Sequence, residues 1–390
     1  MPKPFLWIFS IIILLAISCQ TEESLVPRAA INNTAITAEQ NPAPTSSPSA
    51  PLLPLTTPTS SMPTPSPVPI FDQEVSGKLV LIDVRPYPNH RIIQHDLMAQ
   101  QASSLFDVPE NGWVHQINIS EEQTTMAIAY SAPPMDETQP PFDRSGIFIA
   151  SLGENGLQSE PELLVGNAAP SEFFFDPVWA NGDQTLFYVR YILSDPNDSS
   201  SSGPDVALFR YDLETERSTL IAQDGIWPRV SPDGEQLVYI QVDPGTLRRS
   251  IIVSDLDGKN GQVLISEEAF FDLDTPHFSE DGASIYFTAV PHSTSSQRAW
   301  WEVMLGVQIA EAHTSHNIPS DWWRISVDGG TPEKVTSFLR IISHGSFDHS
   351  GKHLFFAANA AIFSVSDLAG EVMVHQVPVN TPSRYVFYIK

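Results

Sequence analysis

Cysteine is almost missing from this chain. Cys19 is the only one in 390 residues, which excludes a framework of intramolecular disulfides. Basic residues are scarce as well: 20 Lys and Arg stand against 46 Asp and Glu, for a formal net charge of −26. Nucleic acid and anionic lipid both require clustered cations, so neither is expected as a direct ligand. The most apolar stretch, Phe5 to Ile17, falls short of the roughly 20 residues that a spanning helix needs. A Gly-x-Ser-x-Gly elbow for a serine nucleophile is absent. His313 and His316 have a spacing compatible with one metal, but no Asp or Glu completes a metallohydrolase pattern around them. Neither a metal nor a cofactor is therefore expected.

What is present begins with an export signal. Lys3 supplies the positive start, Phe5 to Ile17 the apolar core, and Ala16-Ile17-Ser18-Cys19 the end. A small residue directly before the cysteine resembles a bacterial lipobox, which implies that residues 1–18 are removed and that Cys19 is lipidated. Acyl chains hold a protein on a membrane by about 0.8 kcal/mol per buried methylene, which suffices with two or three chains. Residues 19–70 then turn dense in Pro, Ser, Thr and Ala, as in Pro63-Thr64-Pro65-Ser66-Pro67-Val68-Pro69. Such a composition buries no core and favours an extended stalk, at about 3 Å per residue.

From residue 71 to 390 the chain repeats a phrase. Its cleanest copy is Ile226-Trp227-Pro228-Arg229-Val230-Ser231-Pro232-Asp233-Gly234, followed by the apolar run Leu237-Val238-Tyr239-Ile240. Further copies lead into Ser279-Glu280-Asp281-Gly282 and Asp348-His349-Ser350-Gly351, and weaker ones into Ala180-Asn181-Gly182-Asp183 and Ser120-Glu121-Glu122-Gln123. Neighbouring copies lie roughly 50 to 70 residues apart, the spacing of propeller blades. Pro presets φ, Asp bonds its own backbone and Gly accepts positive φ, so the acidic residues of this phrase are turn-formers. Val230, Phe278, Phe347, Trp179 and Ile119 share one position before the turn and are expected to pack between sheets. Two more strands follow in most copies, giving four strands per unit.

The phrase resembles the blades of TolB-like propellers, in which Pro-x-x-Ser-Pro-Asp-Gly precedes a strand and Ile-x-Val-x-Asp-x-x-Gly-Gly a second. The expected fold is all-β: a six-bladed propeller, with seven blades as the alternative count. Five copies are visible. A sixth blade is expected from pairing of Gly77–Val84 and Arg91–Leu97 with the C-terminal strand Arg384–Ile389, because closing the ring removes exposed sheet edges. The resemblance implies binding of a protein, peptide or glycan partner in the bacterial cell envelope, by a non-catalytic monomer anchored to the membrane through its lipid alone, on the extracytoplasmic side. The competing class is a channel-centred, metal-dependent polysaccharide lyase or hydrolase of propeller type.

Candidate ligand-binding residues fall in two places. Trp227, Arg229, His277 and His344 belong to, or lie beside, the innermost strands and are expected at the mouth of the central channel. Trp300, Trp301, Trp322 and Trp323 belong to or border the longest interruption of the repeat, residues 291–320, whose periodicity suits a hairpin and a helix equally. Insertions in repeat proteins often lie on the binding face.

Overall fold

Each blade begins with a strand that runs into the repeated turn. At 231–236 of the computed structural model, the Gly234 N–H donates to the Ser231 carbonyl, and the Ser231 hydroxyl donates to Asp233 Oδ1 at 2.5 Å. The same bonds recur at Ser279, Asp281 and Gly282. Gly234, Gly282 and Gly351 hold φ of 74°, 68° and 67°, where a side chain would be strained. At the sixth inner strand Asp348 replaces the serine, and its carboxylate accepts the His353 N–H at 2.9 Å.

The structure describes residues 75–389, less 84–89, 136–143, 155, 167–170, 181, 194–203, 293–318, 338–341, 360, 369–370, 378 and 380–382. Cys19, the 19–70 segment, Trp300, Trp301, His313 and His316 thus lie outside the described residues. Among the described residues every regular element is a strand, and no helix is long and apolar enough to cross a membrane.

Six sheets form. The first holds β1 (Lys78–Asp83), β2 (Arg91–Asp96), β3 (Gln101–Asp107) and, from the far end of the chain, β25 (Ser383–Ile389). The second holds β4 (Trp113–Ile119), β5 (Thr125–Ser131), β6 (Ser145–Gly153), and an outer strand broken into β7 (Gly156–Leu157) and β8 (Glu162–Gly166). The third runs β9 (Glu172–Ala180), β10 (Thr185–Ile192), β11 (Asp205–Asp212) and β12 (Arg217–Gln223). The fourth runs β13 (Gly225–Val230), β14 (Gln236–Val242), β15 (Arg249–Asp255) and β16 (Gln262–Ile265). The fifth runs β17 (Asp272–Phe278), β18 (Ser284–Val290), β19 (Asp321–Ser326) and β20 (Glu333–Lys334). The sixth runs β21 (Ile342–Phe347), β22 (His353–Ala358), β23 (Ala361–Leu368) and β24 (Glu371–Gln376).

The ring closes as the sequence predicts. β25 pairs antiparallel with β1 in the register Lys78 to Ile389 and Leu81 to Val386, and the innermost strands β25, β4, β9, β13, β17 and β21 touch their neighbours all the way round. Ser383 fixes the joint: its buried hydroxyl accepts the Ile82 N–H at 3.1 Å and lies 3.0 Å from the Ile82 carbonyl. The count is six blades, which excludes the seven-bladed alternative.

Apolar side chains fill every gap between blades. On β10, Leu186 and Tyr188 pack toward the second blade while Phe187 and Val189 pack toward the fourth. This alternation is the period of a strand buried on both faces. The pre-turn residues Ile119, Trp179 and Phe278 are buried in these layers, and Val230 and Phe347 pack against them half-buried.

Candidate functional site

All six innermost strands are interrupted near their midpoints by a register shift. In three consecutive blades the bulged residue precedes a proline and has positive φ: Asp176 at 51°, Trp227 at 56° and Thr275 at 44°. A non-glycine residue held there costs on the order of 1–3 kcal/mol. Pro177, Pro228 and Pro276 lack the N–H that a continuous ladder would need, so the bulge is where a proline fits. Bulges re-aim side chains. Here they gather one residue from each blade around the axis.

Gln116 Nε2 donates to Asp176 Oδ1 at 2.6 Å, and the Asp176 N–H donates back to Gln116 Oε1 at 2.8 Å. The Trp227 N–H donates to the Asp176 carboxyl group. The Trp227 ring lies 4.7 Å from His344, and His344 lies 4.4 Å from Tyr385. The Tyr385 hydroxyl donates to the Ile117 carbonyl, which returns the series to the second blade. Gln116, Asp176, Trp227, Thr275, His344 and Tyr385 are all at least nine-tenths buried. Together they form a diaphragm across the axis. Burial pushes the Asp176 carboxyl up to about 7, helped by the Asp274 charge and opposed by Arg229 and the Trp227 N–H.

Below the diaphragm, toward the Ser-Pro-Asp-Gly turns, lie Arg229 and His277. Arg229 is half-buried and its Nη1 donates to its own neighbour's carbonyl, Pro228 O, at 2.7 Å. His277 is buried, its Nε2 makes no hydrogen bond, and burial followed by the Arg229 charge holds it well below the usual histidine range. It is a neutral ring near Trp322, 6.2 Å away.

Above the diaphragm, where the inner strands begin, the channel has a different wall. Four half-buried rings from two blades form an arc. Trp113 lies 6.5 Å from His115, His115 packs edge-on to Phe175 at 5.1 Å, and Phe175 packs edge-on to Tyr191 at 5.3 Å. Buried His90 backs Trp113 at 3.9 Å. Burial, then His90, drives His115 down to about 3, so it is an uncharged aromatic. Beside Tyr191 the wall becomes ionic. Arg249 Nη1 lies 3.4 Å from Asp272 Oδ1 and 3.8 Å from Asp274 Oδ2, and it donates to the Leu273 carbonyl at 3.1 Å. Burial of the group pushes Asp272 up to about 6; Arg249 opposes this and Asp274 adds to it.

The residues singled out in the sequence are thus dispersed. Trp227 and His344 meet, but as part of the diaphragm and more than nine-tenths buried. Trp322 is a core residue with no exposed surface, edge-on to Phe356 at 5.8 Å, which removes it from the ligand candidates. A Cβ at Gly345 would sit 3.0 Å from its ring, so that glycine permits the approach. Trp323 points to the opposite face of β19 and packs on Phe270 at 4.9 Å. Adjacent residues on a strand face opposite ways, so this Trp pair was never able to present one surface. Trp300 and Trp301 fall in 293–318, outside the described residues. Among the described residues no three His, Cys, Asp or Glu side chains converge as metal ligands. Sequence reading missed Gln116, Asp176, Tyr385 and the whole arc. The signal for part of it was the recurring x-Pro in Asp176-Pro177, Trp227-Pro228 and Thr275-Pro276.

The class is therefore defined: a six-bladed propeller, closed at its termini, with its axis crossed by side chains and a polar-aromatic mouth on one face. Among solved structures, TolB from Acinetobacter baumannii is similar at 13% identity with a TM-score of 0.53, covering 80% of this chain and 66% of that one. This chain thus spans slightly less than two thirds of that protein. A putative TolB from Agrobacterium tumefaciens aligns at 15% identity and a TM-score of 0.49, covering 81% and 99% of the two chains. An oligogalacturonate lyase in complex with manganese aligns at 12% identity and a TM-score of 0.46, covering 73% and 70%. No protein-family model and no curated protein matches the chain. The fold is that of a TolB-like propeller, and similarity at this level leaves the activity to be read from the molecule itself.

Proposed function

We propose that this chain is a lipid-anchored protein of a bacterial cell envelope whose propeller binds a protein partner without catalysis, using the upper face of the ring. The observation that carries the reading is the diaphragm. Asp176, His344 and Tyr385, the central groups that a channel-centred enzyme would employ, are engaged with Gln116, Trp227 and the Ile117 carbonyl. Surface left for a protein partner lies above them, where the strand ends Ile192, Asp205, Val290 and Asp321 also lie. A rigid ring that carries variable connections on one face is a common basis for recognition. The domain order supporting this role is a signal peptide at 1–18, lipidated Cys19 with a stalk to residue 70, and the propeller from 71.

The anchor is tested by Cys19→Ala. The unaltered protein is expected to partition into the detergent phase and sediment with membranes; the variant is expected in the soluble extract. Equal partition of both proteins contradicts lipidation at Cys19. The binding reading is tested by crosslinking in intact cells, with and without residues 293–318. A partner recovered from the unaltered protein supports it. A purified protein holding one divalent metal per chain, lost in His277→Ala, supports the lyase-type alternative instead.

A further inference from the structure

Below the diaphragm the channel is ringed by one position per blade, the residue just before the pre-turn residue: Asn118, Val178, Arg229, His277 and Ser346. Phe387 holds this place on β25, because Ser346 bonds the Tyr388 N–H as Asn118 bonds the Trp179 N–H. The ring carries one fixed cation and no acid, in a chain whose net charge is −26. Arg229 reaches the axis: its charge acts on Asp176, His277 and Tyr385, which belong to the third, fifth and first blades. Among the described residues no carboxylate lies within ion-pair distance of its guanidinium.

The polar members of this ring use their acceptors and keep their donors. Asn118 Oδ1 accepts the Trp179 N–H at 3.0 Å, which leaves its amide NH2. Ser346 Oγ accepts the Tyr388 N–H at 3.0 Å and keeps its own O–H. Arg229 gives one N–H to the Pro228 carbonyl and retains the rest of its fork. His277 is more than nine-tenths buried and its Nε2 bonds nothing, so in the Nε2–H form it is a fourth donor. Donors gathered around a guanidinium suit a ligand that only accepts. Half-buried Phe387, across the ring from Arg229, adds an apolar surface.

We propose that the lower channel is a second site, beyond the partner-binding reading above, that takes a monocarboxylate on a short apolar stem. The carboxylate accepts from Arg229, His277 and Ser346, on three consecutive blades, and the stem lies against Phe387. A carboxylate matches the planar guanidinium fork with two parallel bonds. A dianion is overcharged for one cation in a strongly acidic protein, and a metal cation is repelled by Arg229. A neutral amide brings donors of its own to a ring of donors. The same chemistry is offered by a free small acid and by the C-terminal carboxylate of a peptide.

Calorimetry on the full-length protein in non-ionic detergent tests this with sodium butyrate, butyramide, inorganic phosphate, and an N-acetylated Ala-Ala-Val tripeptide with a free or an amidated C-terminus. Each carboxylate that binds is expected to do so at least tenfold more tightly than its amide and than phosphate. Tighter binding of the peptide than of butyrate assigns the site to a chain terminus, and the reverse order assigns it to a free acid. Arg229→Gln is expected to weaken the better carboxylate at least tenfold and His277→Phe severalfold, with melting temperatures within a few degrees of the unaltered protein. Should Arg229→Gln fold poorly, Arg229→Lys, which keeps the charge and loses the fork, is expected to weaken binding severalfold. Equal affinity for a carboxylate and its amide, tighter binding of phosphate, or a folded Arg229 variant that binds like the unaltered protein overturns the proposal. Absence of binding by both carboxylates overturns it too. Capture of a partner by the upper face is independent of all these outcomes, so either reading can fail alone.

Discussion

Removal of residues 383–390 is expected to abolish the cooperative unfolding transition of the propeller. β25 is the innermost strand of the first blade, and it is joined to β1 across more than 300 residues of chain. It buries Tyr385, Val386 and Ile389, each with less than a tenth of its surface exposed. At roughly 1.5–3 kcal/mol per buried large side chain, their loss alone approaches the 5–15 kcal/mol total stability of an ordinary domain. The truncation also opens the edge of β1, uncovers β4 and β21 beside which β25 packs, and removes the Tyr385 ring that His344 packs against. Calorimetry is the measurement. A truncated protein that melts as sharply as the intact one, within a few degrees, contradicts closure by the terminal strands.

The second large effect concerns Asp176. Its folded-state carboxyl is pushed up to about 7 from an ordinary value of 3.8, chiefly by burial. A raised acid binds its proton more tightly when folded. The stability it contributes is therefore full below about pH 4, declines as the pH climbs toward 7, and is lost above that. About 1.4 kcal/mol per pH unit gives a penalty on the order of 2–4 kcal/mol at pH 8. Asp176→Asn keeps an acceptor for Gln116 or the Trp227 N–H and removes the charge. The variant is expected to be more stable than the unaltered protein at pH 8, by roughly 5 °C in melting temperature, and equally stable near pH 4. The decline in stability that Asp176 contributes between about pH 4 and 7 is expected to be absent from the variant, while buried Asp272 and, in the opposite sense below about pH 6.5, the neutral His115 and His277 still contribute. Destabilisation of Asp176→Asn at pH 8 means that the ionised carboxylate is needed by Arg229, and it contradicts a net penalty from burying that charge.

Local chemistry was legible in the sequence, and convergence across blades was not. Ser231-Pro232-Asp233-Gly234 announces its turn because Asp and Gly carry their geometry with them, and Asp233 and Asp281 do serve their own turns. Closure was legible from two unmatched strands at the ends of the repeat. The diaphragm was hidden because the repeat aligns Gln116, Asp176, Trp227, Thr275 and His344 at one position while sharing no chemistry among them. Their role appears only when five strands and β25 face one axis. The arc was hidden for a related reason: Trp113 and His115 come from β4, Phe175 from β9 and Tyr191 from the end of β10, brought together by the packing of blades. Tryptophan pairs misled in the other direction. Trp322-Trp323 looks like a binding signature in one dimension, whereas strand alternation sends one ring into the gap beside the sixth blade and the other onto Phe270.

Photocrosslinking in intact cells tests the central claim, that this propeller works by binding through its upper mouth. One photoreactive residue replaces Phe271, which adjoins Asp272 at that mouth, and another replaces Val263, exposed at 62% on the outer strand of the fourth blade. The account predicts a discrete protein adduct from position 271, diminished in Asp272→Asn, and none from position 263. An adduct from position 263 with none from 271 would contradict it.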